Sequence, residues 1–241
     1  MVDGMPEWMK RFFSEPRLRP YLRAVGGDPQ AATRLYQWNV EASAALYVPL
    51  HCVELAVRNA LHDCLVGAYG RPDWWSMAPL NVGGKGLVAK AHRNCEANEE
   101  QRAKERKRRK RPVTVDDVVT ELNFGFWVNL LVSRYDRLFW VPTLHKAFPR
   151  YHGRRDALFE ELRALVRLRN RVMHHEPIHH EDLAADHATI YRVLEYLSPD
   201  LAKEVRAMDR FPSVLAGKGD ALRGGERPGS SDPSTRREEA L

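Results

Sequence analysis

Apolar residues recur every three or four positions along most of this chain, and runs that alternate with a period of two are scarce. Leu35, Trp38, Ala42, Ala45 and Leu46 predict a helix over 28–48. Pro49 permits a kink or a new first turn, and Leu50, Val53, Val57, Leu61 and Leu65 predict a further helix over 50–68. Gly70, Pro72, Pro79 and Gly83-Gly84 mark 70–86 as a loop. An increasingly charged helix is predicted over 87–111, ended by Pro112. Thr114 and Asp117 have the spacing of a capping box. The aromatic and aliphatic run from Phe124 to Leu138 predicts a buried helix. Residues 154–175 carry the clearest amphipathic pattern and 181–197 the next, and Ser198-Pro199-Asp200 opens a short helix to about 209. From Gly217 onward there are five glycines, two prolines and almost no large apolar residue. Such a segment cannot bury enough surface to offset its ordering entropy. The expected fold is an all-α bundle: an N-terminal helical extension over 1–27, a main domain over 28–210 with a basic insertion at about 84–112, and a disordered tail over 211–241.

With 44% hydrophobic residues among 241, the chain can build a core. Its net charge of +6 is concentrated: residues 102–111, RAKERKRRKR, hold eight bases and one acid. As a helix this segment is basic nearly all round. Arg106, Lys107, Arg108, Arg109, Lys110 and Arg111 would bind phosphates without reading sequence, and binding would weaken steeply with salt. A solvated helix end or a loop is the plainer account of the same residues. The three cysteines, Cys52, Cys64 and Cys95, are odd in number and lack C-x-x-C spacing, which points to a reducing compartment. The start MVDGMPEWMKRF has no apolar run of the signal-peptide kind, and no stretch approaches 18 consecutive apolar residues. A cytoplasmic location without membrane contact is expected. Trp74-Trp75 are read as packing on the bundle, with stacking on bases as the alternative, and the cluster Phe124, Phe126, Trp127 as core. No glycine-rich phosphate loop, G-x-S-x-G or paired-cysteine metal site is present.

Four of the ten histidines fall within seven positions, in RNRVMHHEPIHH over 169–180. His175, Glu176 and His179 match H-E-x-x-H, which holds zinc only when both histidines share one face of a continuous helix. Pro177 sits between them, removes a backbone donor and clashes with the preceding turn. The helix should stop near His175 and the shared face is lost, leaving at most an adventitious site among His174, His175, His179 and His180. No metal or other cofactor is expected.

The other reading needs none. At about 100° per residue, Leu158, Leu162, Leu165 and Val172 form one stripe, and Arg169 falls inside it. A guanidinium there needs a partner or a wet cleft. Glu54 interrupts the stripe Leu50, Val53, Val57, Leu61 in the same way, so Glu54 and Arg169 are expected to pair. The pair serves structure, catalysis or both. Arg58 and Asn59, one turn on, line the same cleft or lie on an ordinary surface. Asn170 and His174 are four apart and share a helix edge. His174 and His175 fall in the last turn, where the dipole favours a protonated ring. Histidine and arginine suffice for metal-free RNA cleavage: one moves the proton, the other steadies the phosphorane charge. Arg169 and His174 nevertheless point about 140° apart on an ideal helix. One subunit does not obviously bring both to one phosphate.

The string RNRVMHHEPI resembles the motif of the HEPN superfamily, an Arg, a polar residue and a His four to six positions after the Arg. With LYQWNVEASAALYVPLHCVELAVRNAL (35–61) and LNFGFWVNLL (122–131), it looks like the Abi-like branch, the AbiD/AbiF-type abortive-infection proteins. The resemblance implies a HEPN-like helical bundle, a homodimer with a composite site, and a metal-independent endoribonuclease acting as a toxin or antiphage effector, with an antitoxin or regulatory RNA as further possible partners. Carried onto this sequence, Arg169 and His174 take the catalytic positions and Asn170 the polar companion, and His175 also satisfies the spacing. A catalytically silent RNA- or protein-binding module is the first alternative and a metal-dependent hydrolase the second.

Overall fold

The computed structural model describes residues 4–223 and is all-α, with no strand among the described residues. The chain divides into two compact units that do not follow the linear segmentation into 1–27, 28–210 and 211–241. Among the described residues one comprises 4–46, 175–183 and 210–223, the other 47–174 and 184–209.

The first unit contains helices α1 (Glu7–Phe13) and α2 (Glu15–Ala24) and the start of α3 (Pro29–Tyr69). Met9, Leu18, Tyr21, Leu35 and Trp38 are buried in its core. Each such side chain contributes about 1.5–3 kcal/mol. Two attachments fix the return of the chain. Asn39, itself buried, accepts at Oδ1 from the backbone N–H of Ile178 (2.8 Å) and of His179 (3.1 Å). Trp38 donates from its indole N–H to the Val214 carbonyl at 3.0 Å. This corrects the expected start of disorder at 211, because α10 (Phe211–Ala216) and α11 (Lys218–Arg223) are helical. Phe211 is fully buried, and Arg34 donates to the Leu222 carbonyl at 2.9 Å. Composition read from Gly217 underweighted these anchors. The rest of the expected tail, 224–241, lies outside the described residues.

In the second unit α3 continues from Tyr47 to Tyr69. Contrary to a break at Pro49, α3 is one helix of 41 residues. Burial of Leu46, Leu50 and Val53 around the proline offsets the ~3 kcal/mol that an interior proline costs. By length and composition alone α3 would also suffice to cross a membrane, while its stripe Leu50, Val53, Val57, Leu61 and Leu65 is buried here against protein.

Helix α4 (Val82–Glu105) starts inside the expected loop and ends before the expected stop. Asn81 caps it, accepting from the Gly84 N–H at 2.7 Å, and this cap carries the helix through Gly83, Gly84 and Gly86. At the other end Lys107 takes φ +49°, so the basic segment beyond Glu105 is not helical. Helix α5 (Val115–Glu121) opens with the capping box of Thr114 and Asp117. Helix α6 (Phe124–Asn129) is only the beginning of the helix expected to Leu138. The chain then breaks into a 3₁₀ turn (Ser133–Tyr135) and a π-helical turn (Asp136–Trp140). Apolar side chains on every side suit a short element buried all round, and Arg155 takes up the freed Leu131 carbonyl. Trp74 packs with Phe126 and Trp127 and Trp75 with Trp74, both buried, as the sequence suggests. Helices α7 (Arg155–Met173), α8 (Leu183–Leu197) and α9 (Pro199–Met208) lie where the patterning puts them.

Candidate functional site

Helix α7 buries Leu158, Leu162, Leu165, Leu168 and Val172, and Arg169 falls within that face. Its guanidinium meets Glu54 of α3 in a two-pronged pair: Nε donates to Oε2 at 2.8 Å and Nη2 to Oε1 at 3.3 Å. The two side chains are 28% and 19% exposed. The pair is therefore half-buried, as two charges on two core-facing lines required. The fork leaves the Nη1 edge outward, where it makes only a long 3.4 Å contact to Asn170 Oδ1. Glu54 thus fixes the plane of the guanidinium.

His174 is the C-cap of α7 and donates its backbone N–H to the Asn170 carbonyl at 2.9 Å. Its ring is exposed, as is the side chain of Asn170. The backbone stays near helical up to this residue, so the angular separation of Arg169 and His174 persists. His175 takes φ +56° and begins the other compact unit, where its carbonyl accepts from Arg17. A left-handed residue followed two positions later by Pro177 is a usual way to end a helix. His175 and His179 therefore do not share a helical face. Arg58 and Asn59 contact each other, Nε to Oδ1 at 3.3 Å, one turn beyond Glu54.

The basic segment is not part of this constellation. Arg108 donates to both oxygens of Glu99, at 2.7 and 3.1 Å, and Arg111 donates its backbone N–H to Glu99 at 2.8 Å. The Arg111 guanidinium forms a fork with Asp117, both bonds 2.7 Å. These partners hold the Glu99 carboxyl down to about pKa 2, with Arg108 the largest cause. Two of the six bases assigned to phosphate binding are thus engaged in fastening the loop. Arg106, Lys107, Arg109 and Lys110 are exposed and remain available. Glu99 was not singled out in the sequence, yet it lies on the stripe Val88, Ala91, Cys95, Glu99, Ala103. An acid on an apolar line was the signal that found Glu54. A cavity of about 630 Å³ between the start of α4 and residues 126–135 holds none of the predicted site residues.

Compared with models of protein families, with curated proteins and with solved structures, the chain matches none.

Proposed function

We propose that this chain is a metal-independent endoribonuclease of HEPN type, acting as an abortive-infection or toxin effector in antiphage defence. The observation that carries the reading is the Glu54–Arg169 fork, which leaves the guanidinium's Nη1 with only a long contact to Asn170, on the helix that ends in the exposed His174. The resemblance of RNRVMHHEPI to the HEPN motif supports the same residues.

In the reaction the substrate supplies its own nucleophile. The 2′-hydroxyl oxygen attacks the adjacent phosphorus and loses its proton to a base. The P–O5′ bond breaks and the leaving oxygen takes a proton. The products are a 2′,3′-cyclic phosphate and a 5′-hydroxyl. Arg169 stabilises the charge on the non-bridging oxygens, His174 moves a proton, and Asn170 positions the strand. Because Arg169 and His174 diverge around α7, a second copy of the chain completes the site, which makes a homodimer part of the proposal.

The test is induced expression in a bacterial host, with RNA ends sequenced for wild type and for folded His174→Ala and Arg169→Ala. New 5′-hydroxyl ends confined to the wild type are the expected result. Equal ends in all three strains would discard the assignment. Four exposed bases on the 106–110 loop favour a second reading, a silent RNA-binding module. It predicts RNA retention that survives His174→Ala and is lost when those bases are neutralised.

A further inference from the structure

The stripe of α3 that carries Glu54 carries more than Glu54. Tyr47, His51, Glu54 and Arg58 stand at i, i+4, i+7 and i+11, within about 60° of one another around the helix. They border the buried line Leu50, Val53, Val57 and Leu61. The first two form an aromatic pair with ring centroids 5.7 Å apart and planes only 13° from parallel. Tyr47 is 49% exposed, and His51 is also exposed. The pair presents aromatic ring surface to solvent.

We infer that the Tyr47–His51 pair is a stacking platform for a nucleobase of single-stranded RNA, lying beside the Glu54–Arg169 fork; this rests on the ribonuclease reading above. Three features favour it. First, Glu54 is compensated by Arg169, so the stripe presents aromatic rings at one end and the cations Arg58 and Arg169 beyond them. Single strands are held by this alternation: rings for bases, cations for phosphates. Second, the direction of α7 brings His174 to the aromatic end. Through α6, Trp127 meets His62 (centroids 6.1 Å) while Gly125 lies beside Val166. With Arg169 on Glu54, α7 therefore runs antiparallel to α3. His174, about 7.5 Å further along α7 than Arg169, falls level with Tyr47 and His51. A base on the platform places its own phosphate beside the fork. Third, the two rings are already near parallel, so little side-chain ordering is needed on binding.

The experiment measures binding of the full chain to a fluorescein-labelled 2′-O-methyl oligonucleotide, which cannot undergo 2′-hydroxyl attack, and to an abasic strand of the same length. Tyr47→Ala should weaken binding to the base-bearing strand roughly 5- to 100-fold. His51→Ala should weaken it less, and Tyr47→Phe, which keeps the ring, should bind like wild type. The abasic strand should bind wild type and Tyr47→Ala equally. The inference is overturned by unchanged binding of Tyr47→Ala, or by an equal loss on the abasic strand. It is also overturned if Tyr47→Ala alters the sedimentation coefficient, since a second copy would then be the occupant of this face. Because the methylated strand is not cut, these results do not depend on catalysis. Wild type that binds through Tyr47 but yields no 5′-hydroxyl ends would sink the nuclease reading and leave the platform standing.

Discussion

Glu54 and Glu99 both stand on apolar helix stripes and both bind arginine, but they leave their arginines in different states. Glu99 is buried, accepts from both Nη atoms of Arg108, and adds the backbone N–H of Arg111. Its partners lie nine and twelve residues ahead, so the cluster closes a loop. Glu54 accepts from one arginine 115 residues away, by two of its nitrogens, and the third faces outward. The first arrangement spends both Nη atoms of Arg108 on Glu99, Nη1 also reaching the Arg109 carbonyl, and fastens a local loop. The second holds a guanidinium in a fixed plane between two helices, with Nη1 making only a 3.4 Å contact to Asn170 Oδ1. An arginine count does not separate the two. What separates them is what each pair joins.

The sharpest break between the two clusters is a pair of Arg→Lys changes. Lysine keeps the charge but not the fork. On the proposed ribonuclease reading, Arg169→Lys should lower RNA cleavage by about 10²–10³-fold, the usual loss for one oxyanion donor. Arg108→Lys should leave the rate within about twofold. Both are read from initial rates on a labelled single strand. Equal losses would mean that the Arg169 fork is as structural as the other.

Exchanging the glutamates gives the next effect. Glu54→Gln should slow cleavage by up to about 10²-fold, because the guanidinium is no longer oriented. It should cost about 1–3 kcal/mol, between the values for exposed and buried pairs. Glu99→Gln should do the reverse: an unchanged rate at low temperature, a lower Tm, and new protease cuts within 106–113. Denaturant melts and limited proteolysis report both. A smaller effect is expected at the remaining bases. Replacing Arg106, Lys107, Arg109 and Lys110 by Gln should make the salt dependence of RNA binding shallower by roughly 0.7 per charge, raising KM and leaving kcat alone. An unchanged slope would remove the loop from the RNA path.

The sequence made the Glu54–Arg169 pair legible because each residue violates the periodicity of its own helix, and two violations of opposite sign ask for each other. The same rule applied to α4 points to Glu99, but the dense charge at 102–111 masks the apolar line on which it stands. The helix boundaries were less legible where two local rules compete. Asn81 outweighs three glycines at the start of α4, and packing carries α3 across Pro49. The run from Phe124 is apolar on all sides, so its period cannot tell a helix from a set of tight turns. Tyr47 and His51 escaped notice because an exposed aromatic leaves no trace in a hydrophobic pattern. Nor does any linear reading show that 175–183 and 210–223 belong with the first 46 residues.

The smallest effect separates the two units by pH. In the first, the His179 ring lies against Tyr21 and His180, with centroids 5.1 and 5.2 Å away, and Lys218 donates to its carbonyl. Burial, then the neighbouring His180 and Lys218, lower its pKa from 6.5 to about 4, and its Nε2 is buried without a hydrogen-bond partner. Between those values the unfolded chain holds the proton and the folded chain does not, so stability falls as pH drops from 6.5 to about 4 and no further below. In the second unit the Glu99 carboxyl, lowered from 4.5 to about 2, gives up stability in the next window down. There too the unfolded chain binds the proton first. Urea melts stepped through pH should therefore show two successive losses. His179→Phe should reduce the upper one, to which His62, also lowered by burial, adds, and Glu99→Gln the lower, to which Asp117, lowered by Arg111, adds. If His179→Phe leaves the slope above pH 4.5 unchanged, the upper loss belongs to another group and the burial of His179 does not govern the acid sensitivity of its unit.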